Sequence, residues 1–246
     1  MLVSVPEYPW RRVGDTQMAE SVEKGRGLEA SELFADVPTG VRNTLLSTAR
    51  SRNFSYRQQL FLIDDPIDEI FLMVEGCAKV TQVTRSGKEV VLRIAASGEL
   101  IGELDLPNGS KHSSTAQALQ DCEVLVWASD LFDAALLRFP VLQRNVNSIL
   151  GRRLSDIQSR ISRISSTQVA SKRLAHELVD LANQMGRRVN SHVEIKIPQE
   201  ALAQMTAMGL FTLNRILSGW ETQGLLRVHR KRIEIHDSQR LSGLYS

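Results

Sequence analysis

Residues 198–235 read PQEALAQMTAMGLFTLNRILSGWETQGLLRVHRKRIEI. Pro198 suits the first position of a helix, where a missing N–H is no loss. Ala201, Leu202 and Met205 give that helix an apolar face, and Ala207-Met208-Gly209 makes a short connection. Leu213, Ile216, Leu217 and Trp220 recur at helical spacing and mark the buried side of a second helix, ended near Gly224. Leu225–Val228 and then Ile233 and Ile235 read as two strands around a basic tip, His229-Arg230-Lys231-Arg232. Helix, tight turn, helix and basic hairpin together outline a winged helix-turn-helix.

That outline assigns roles to the side chains left over. The outward set of the second helix is Leu210, Phe211, Asn214, Arg215 and Ser218. Arg215 can pair bidentately with guanine O6 and N7, and Asn214 can read adenine. Thr212 and Ser218 carry short hydroxyls suited to phosphate, and Arg230, Lys231 and Arg232 carry charges that position without reading sequence. Leu210-Phe211 puts an apolar pair on that outward face. It can pack on thymine methyls or mark a degenerate reader, and Phe211 can instead pack back onto its own domain.

Working upstream, Val193, Ile195 and Ile197 alternate as a strand, and Val169–Met185 is a helix stopped by Gly186. Before it lies an apolar series, Leu142, Val146, Leu150, Leu154, Ile157, Ile161 and Ile164, spaced four, four, four, three, four and three. This is close to the repeat of helices that pack in pairs. The seam predicts a dimer interface at Val146, Leu150, Leu154, Ile157, Ile161 and Ile164. Arg144, Arg152, Arg153, Arg160 and Arg163 occupy the other face.

Residues 28–52 read as one or two short helices. From Phe54 to Trp127 short strands alternate with Gly-containing turns, the pattern of a small antiparallel roll. The division is 1–27 N-terminal extension, 28–137 the unit that holds the roll (the effector domain of the resemblance given below), 138–165 dimerisation helix and 166–246 the winged-helix, DNA-binding unit. Charge follows it. Residues 1–137 hold 13 Lys/Arg against 20 Asp/Glu, residues 138–165 six against one, and residues 166–246 eleven against seven. A basic second half suits a polyanion. The whole composition, 42% hydrophobic and 24% charged, is that of a folded globular chain rather than a disordered one. Two cysteines, Cys77 and Cys122, build neither a disulfide framework nor a four-thiolate cluster, which points to a reduced, cytoplasmic setting. No apolar run is long enough for a membrane span, and the first residues carry their charges after the apolar stretch, unlike a signal peptide.

Several stretches in this order resemble the Crp-Fnr family of bacterial transcription regulators. Asp68–Gly76, Ser86-Gly87-Lys88-Glu89 and Ser97–Leu104 resemble strand, hairpin and pocket segments of its cyclic-nucleotide-binding-like domain. Thr212–Leu217, Gly224-Leu225-Leu226 and Ile233-Glu234-Ile235 resemble its recognition helix and wing. The resemblance implies an α+β chain: an antiparallel β-roll sensor (a double-stranded β-helix), a long dimerisation helix and a C-terminal winged helix-turn-helix. Its partners would be double-stranded DNA, a second copy and RNA polymerase, with no membrane.

The same resemblance places an effector pocket at Gly102, Glu103, His112 and Ser113. Members that bind cyclic nucleotides carry a Gly-Glu pair, kept here as Gly102-Glu103, and an Arg-Ser pair whose guanidinium forks onto the phosphate. His112-Ser113 stands there instead, and an imidazole lacks that fork. No cofactor is assigned on this basis. The missing arginine argues against cyclic AMP, the two lone cysteines against an iron–sulfur cluster, and the choice of only His112 or Cys77 as axial ligand against haem. Cys77, after the turn Gly76, is either exposed or a core thiol. No P-loop, nucleophile elbow or HExxH motif points to an enzyme. The alternative to a DNA reader is a ligand- or partner-binding dimer whose winged helix no longer reads DNA specifically.

Overall fold

A computed structural model describes residues 28, 31–85, 87, 89–104, 110–165 and 169–245, and of residues 163–165 the backbone alone. The expectations for the extension 1–27, for Ser86 and Lys88 of the hairpin, and for the side chains of Arg163 and Ile164 lie outside the described residues.

A 3-10 turn, Glu32–Phe34, and helix α1 (Thr39–Leu46) precede eight strands. These are β1 (Arg50–Phe54), β2 (Gln59–Phe61), β3 (Glu69–Glu75), β4 (Cys77–Val83), β5 (Glu89–Ala96), β6 (Leu100–Ile101), β7 (Thr115–Ala118) and β8 (Cys122–Ala128). They form two antiparallel sheets, ordered β1-β8-β3-β6 and β2-β7-β4-β5. The expected helical stretch 28–52 therefore ends sooner, because Arg50–Phe54 pairs along β8 from Arg50 opposite Val126 to Phe54 opposite Cys122. Its sequence, RSRNF, is polar because it is an exposed edge strand, so no apolar alternation announces it.

The central strands are buried on both faces, and each face enters a different core. In β3, Phe71 and Met73 point between the two sheets, with Phe54, Val80, Val124 and Val126. Ile70, Leu72 and Val74 point outward, under helices. The period-2 geometry of a strand sorts them this way. The covering helices are α1, α2 (Ser129–Arg138) and the start of α3 (Pro140–Ser165). Trp127, fully buried, donates its indole N–H to the Leu45 carbonyl at 2.8 Å and so ties α1 to the sheet.

The second unit comprises α4 (Ala170–Met185), β9 (Arg187–Val189), β10 (His192–Ile195), α5 (Gln199–Met205), α6 (Leu210–Thr222), β11 (Leu226–His229), β12 (Arg232–Ile235) and α7 (Ser238–Gly243). Its sheet runs β11-β12-β10-β9. Leu174, Leu178, Leu202, Leu213, Leu217 and Trp220 form its core, which continues into Cys77, Val91 and Ile94 of the roll. Gln184 of α4 also donates to the Ile94 carbonyl at 2.9 Å and to Glu99 at 2.7 Å.

Helix α3 corrects part of the expected dimer seam. Val146 is fully buried in its own chain's core with Leu142 and Ile149, so it cannot face a partner. Leu150 also packs partly against that core. Further along, Leu154, Ile157 and Ile161 are 57%, 45% and 59% exposed. The reason is angular. A four-residue step overshoots one turn by about 40°, so three in a row rotate the series by about 120° away from its starting face. An alternating four–three spacing back from Ile161 passes instead through Leu150, Asn147 and Gln143. Asn147 is exposed, and Gln143 donates to its side-chain oxygen at 3.2 Å.

The basic face of α3 is likewise tied to its own chain. Arg144 and Arg152 pair with Asp36 and Glu32. Arg160 donates to the Leu92 carbonyl and pairs with Glu177 at 3.0 Å.

Candidate nucleic-acid interface and effector pocket

Helix α6 starts after Gly209, whose carbonyl accepts from Leu213 N at 3.0 Å. Leu213, Leu217 and Trp220 fix its inner face, all 5% exposed or less. Phe211, Asn214, Arg215 and Ser218 share the outer face at i, i+3, i+4 and i+7, and all four are exposed. Leu210 is 41% exposed beside them and Thr212 is half-buried. Phe211 is 82% exposed, so it does not pack back onto its domain. In the preceding turn Ala207 holds φ +52°, a left-handed conformation that a side chain adopts at a cost.

The three basic residues of the wing tip are exposed but differently engaged. Arg232 pairs with Glu234 at 3.0 Å and Glu194 at 3.4 Å, so its charge is locally offset. Lys231 Nζ sits 3.7 Å from the ring centroid of Tyr56, in the turn between β1 and β2. The wing tip therefore touches the roll, a contact that no local pattern announces.

In the roll, the four expected pocket residues do converge. Gly102 has φ +105° and lets the chain turn into Glu103. The His112 ring is buried and lies flat on Phe61, with centroids 3.7 Å apart and planes 9° from parallel. His112 Nδ1 lies 2.5 Å from Glu103 Oε2. The other carboxylate oxygen accepts from Ser113 N at 3.0 Å, Ser113 Oγ at 2.9 Å and Ser114 Oγ at 3.3 Å. Burial alone would raise the Glu103 pKa, but the hydrogen bonds from His112 and Ser113 outweigh it and bring the value to about 2. The carboxylate is thus held ionised and surrounded by internal donors.

Two arginines stand behind the pocket, a place that the sequence did not indicate for either. Arg153 of α3 donates to the carbonyls of Gly102 at 3.2 Å and Leu100 at 2.5 Å. Arg93 of β5 donates to the same Leu100 carbonyl at 2.9 Å and pairs with Glu99 at 3.2 Å. Burial and then the neighbouring Arg93 charge lower the Arg153 pKa to about 9. Helix α3 is thereby wired to the backbone that carries Glu103. Neither arginine stands in a motif: Arg153 reads as one of several arginines on a basic helix face, and Arg93 as a polar residue within an apolar strand.

Cys77 and Cys122 are both buried and unbridged. Cys122 Sγ lies 3.2 Å from the Cys77 carbonyl. Cys77 is fully buried and therefore a core thiol rather than an exposed one, and burial, then the adjacent Cys122, push its pKa up to about 12. Among the described residues no three His, Cys, Asp or Glu side chains group as a metal site, and no helix is long and apolar enough to cross a membrane.

The cyclic nucleotide-binding domain model matches residues 51–139, and the Crp-like helix-turn-helix domain model matches residues 172–244. The chain is 22% identical over 217 residues to the CRP-like cAMP-activated global transcriptional regulator of Mycobacterium tuberculosis, covering 87% of this chain and 96% of that one. Its fold is similar to FixK2 from Bradyrhizobium japonicum, with a TM-score of 0.70 and 18% identity over 80% of this chain and 98% of that one. It is similar also to the c-di-GMP responsive global regulator CLP of Xanthomonas campestris, with a TM-score of 0.68 and 19% identity over 81% of this chain and all of that one. A β-roll followed by a long helix and a winged helix, both domain models in that order, and relatives spanning most of the chain place it in one group: the protein belongs to the Crp-Fnr family of transcription regulators.

Proposed function

We propose that the protein is a homodimer that binds a pseudo-palindromic DNA operator through two copies of α6. The outer face of α6 carries this reading. Asn214, Arg215 and Ser218 stand exposed on a helix whose inner face is locked by Leu213, Leu217 and Trp220, within the helix-turn-helix match. Arg215 reads guanine, Asn214 a neighbouring base, and Arg230 and Lys231 meet phosphates. Arg232, already paired with two carboxylates, contributes less. The dimer forms along Leu154, Ile157 and Ile161, whose exposure is otherwise unexplained. The polar pair Gln143–Asn147 extends the same line, as polar residues in such seams set register. The organisation is an N-terminal extension to residue 27, an effector domain to 137, a dimerisation helix to 165 and a DNA-binding domain beyond. RNA polymerase is a further partner, and the setting is the cytoplasm.

The pocket is altered relative to one that holds cyclic AMP. The relatives above are named for cAMP and for c-di-GMP. Here the Glu103 carboxylate already has four internal contacts, so a ribose hydroxyl must displace one of them. His112 offers no fork to a phosphate.

Leu210 and Phe211 support a second reading, in which the winged helix binds a partner and no longer reads DNA. Gel-shift titrations at several salt concentrations separate the two. A DNA reader discriminates between duplexes, and its affinity falls as salt rises. An absent or salt-insensitive shift replaces the first reading with the second.

A further inference from the structure

Phe211 carries a consequence for what the protein recognises. Among the described residues only Leu137 is a more exposed large apolar side chain, and Phe211 lies on the opposite side of α6 from Leu213, Leu217 and Trp220. The fold therefore does not need its ring. It sits in the first turn of α6, the part of a recognition helix that meets base edges, one turn before Arg215 and on the same face. The surroundings favour a polyanion over an apolar protein surface. Asn214, Arg215 and Ser218 are its face-mates, and Glu221, the only carboxylate on α6, is three turns away and accepts from Val228 N in the wing.

A phenyl ring neither donates nor accepts a conventional hydrogen bond, so it cannot read the donor–acceptor code of the major groove. The one apolar group that code presents is the C5-methyl of thymine. We infer that Phe211 is a specificity-determining residue that packs on a thymine C5-methyl, so that each half-site contains a thymine recognised by its methyl group. This rests on the DNA-binding reading above and adds the chemical feature that the apolar reader selects. Four residues of helix span about 6 Å, or about two base-pair steps of 3.4 Å. The thymine therefore lies within about two base pairs of the guanine read by Arg215.

The test is a methyl scan of a duplex selected from a random library by the full-length protein. Each thymine is replaced in turn by deoxyuridine, which removes the methyl and leaves every hydrogen-bonding group in place. The expected result is one position per half-site where the replacement weakens wild-type binding about fourfold, the worth of one buried methyl-sized group. Phe211→Ala should lose a similar factor on the thymine duplex and be indifferent to uracil. Phe211→Leu should keep part of the discrimination. At the same position, 5-methylcytosine should bind better than cytosine to the wild type and equally to Phe211→Ala. Uracil effects that are the same in wild type and Phe211→Ala, or absent from both, overturn the inference while Arg215→Ala still relaxing the guanine preference leaves the DNA reading standing. If selection enriches no sequence at all, the DNA reading falls and takes the inference with it.

Discussion

The pocket around Glu103 and the outer face of α6 occupy matching places in two domains of one family, yet they are finished differently. In the pocket, His112, Ser113 and Ser114 surround the glutamate, and the imidazole lies on Phe61. On α6, Phe211, Asn214, Arg215 and Ser218 stand in solvent. A polar group that has all its partners inside the chain gains little from a ligand, whereas an exposed apolar ring has burial to gain. Family membership alone would assign both places a ligand. The side-chain contacts are the ground for proposing that recognition lies with the second domain.

The largest expected effect concerns α3, which shows the same contrast along one helix. Ile157→Asp combined with Ile161→Asp puts unpaired charges into the exposed seam and should yield monomers by light scattering, with DNA affinity lost. A dimeric double mutant contradicts the seam. Leu142→Ala, one end of the same apolar series, should instead keep the dimer and cost about 2–5 kcal/mol of stability in chemical denaturation, since it opens a cavity in the chain's own core.

Next in size is base readout. Arg215→Ala should cost about 1–3 kcal/mol and relax one guanine per half-site. Arg230→Ala should weaken all duplexes alike and reduce the salt slope by about one. Arg232→Ala should do less, because its guanidinium already faces Glu194 and Glu234. Equal, sequence-independent losses for Arg215 and Arg230 would erase the distinction between reader and wing.

A smaller effect is expected in the pocket. Calorimetric titration with cyclic AMP should show no micromolar binding, and Glu103→Ala should change nothing. A micromolar isotherm that disappears in Glu103→Ala would show the internal contacts to be displaceable.

The smallest effect is an acid one. Glu103 has a folded pKa near 2, below its ordinary 4.5. Its contribution to stability is therefore present above about pH 4.5 and drains away as the pH falls towards 2. Glu103→Gln should flatten that part of an acid denaturation curve followed by circular dichroism. An unchanged curve means the hydrogen bonds do not hold the ionised form.

The winged helix was legible in the sequence because Leu213, Leu217 and Trp220 keep helical spacing and Arg230-Lys231-Arg232 interrupts two alternating runs. The roll was legible as strands with Gly breaks, except β1, where an edge strand of Arg, Ser and Asn carries no apolar signal. Gly102, Glu103, His112 and Ser113 converge as the resemblance suggested, but their state was not legible, since the stack of His112 on Phe61 joins residues 51 positions apart. In α3 the apolar series hid a rotation that buries Val146 in its own chain, and the line back from the exposed Ile161 continues through Gln143 and Asn147, which carry no apolar signal. The contacts of Arg153 and Lys231 were not legible for the same kind of reason: their partners, the Gly102 carbonyl and the Tyr56 ring, are set by tertiary docking.

Selection of bound duplexes from a random library, run in parallel with wild-type protein and Arg215→Ala, tests base reading by α6 most directly. The expected wild-type product is a pair of inverted half-sites with centres about 34–36 Å apart, matching a two-fold dimer, each with an enriched guanine that Arg215→Ala no longer enriches. A library that yields no consensus, or a consensus that Arg215→Ala leaves intact, would contradict it.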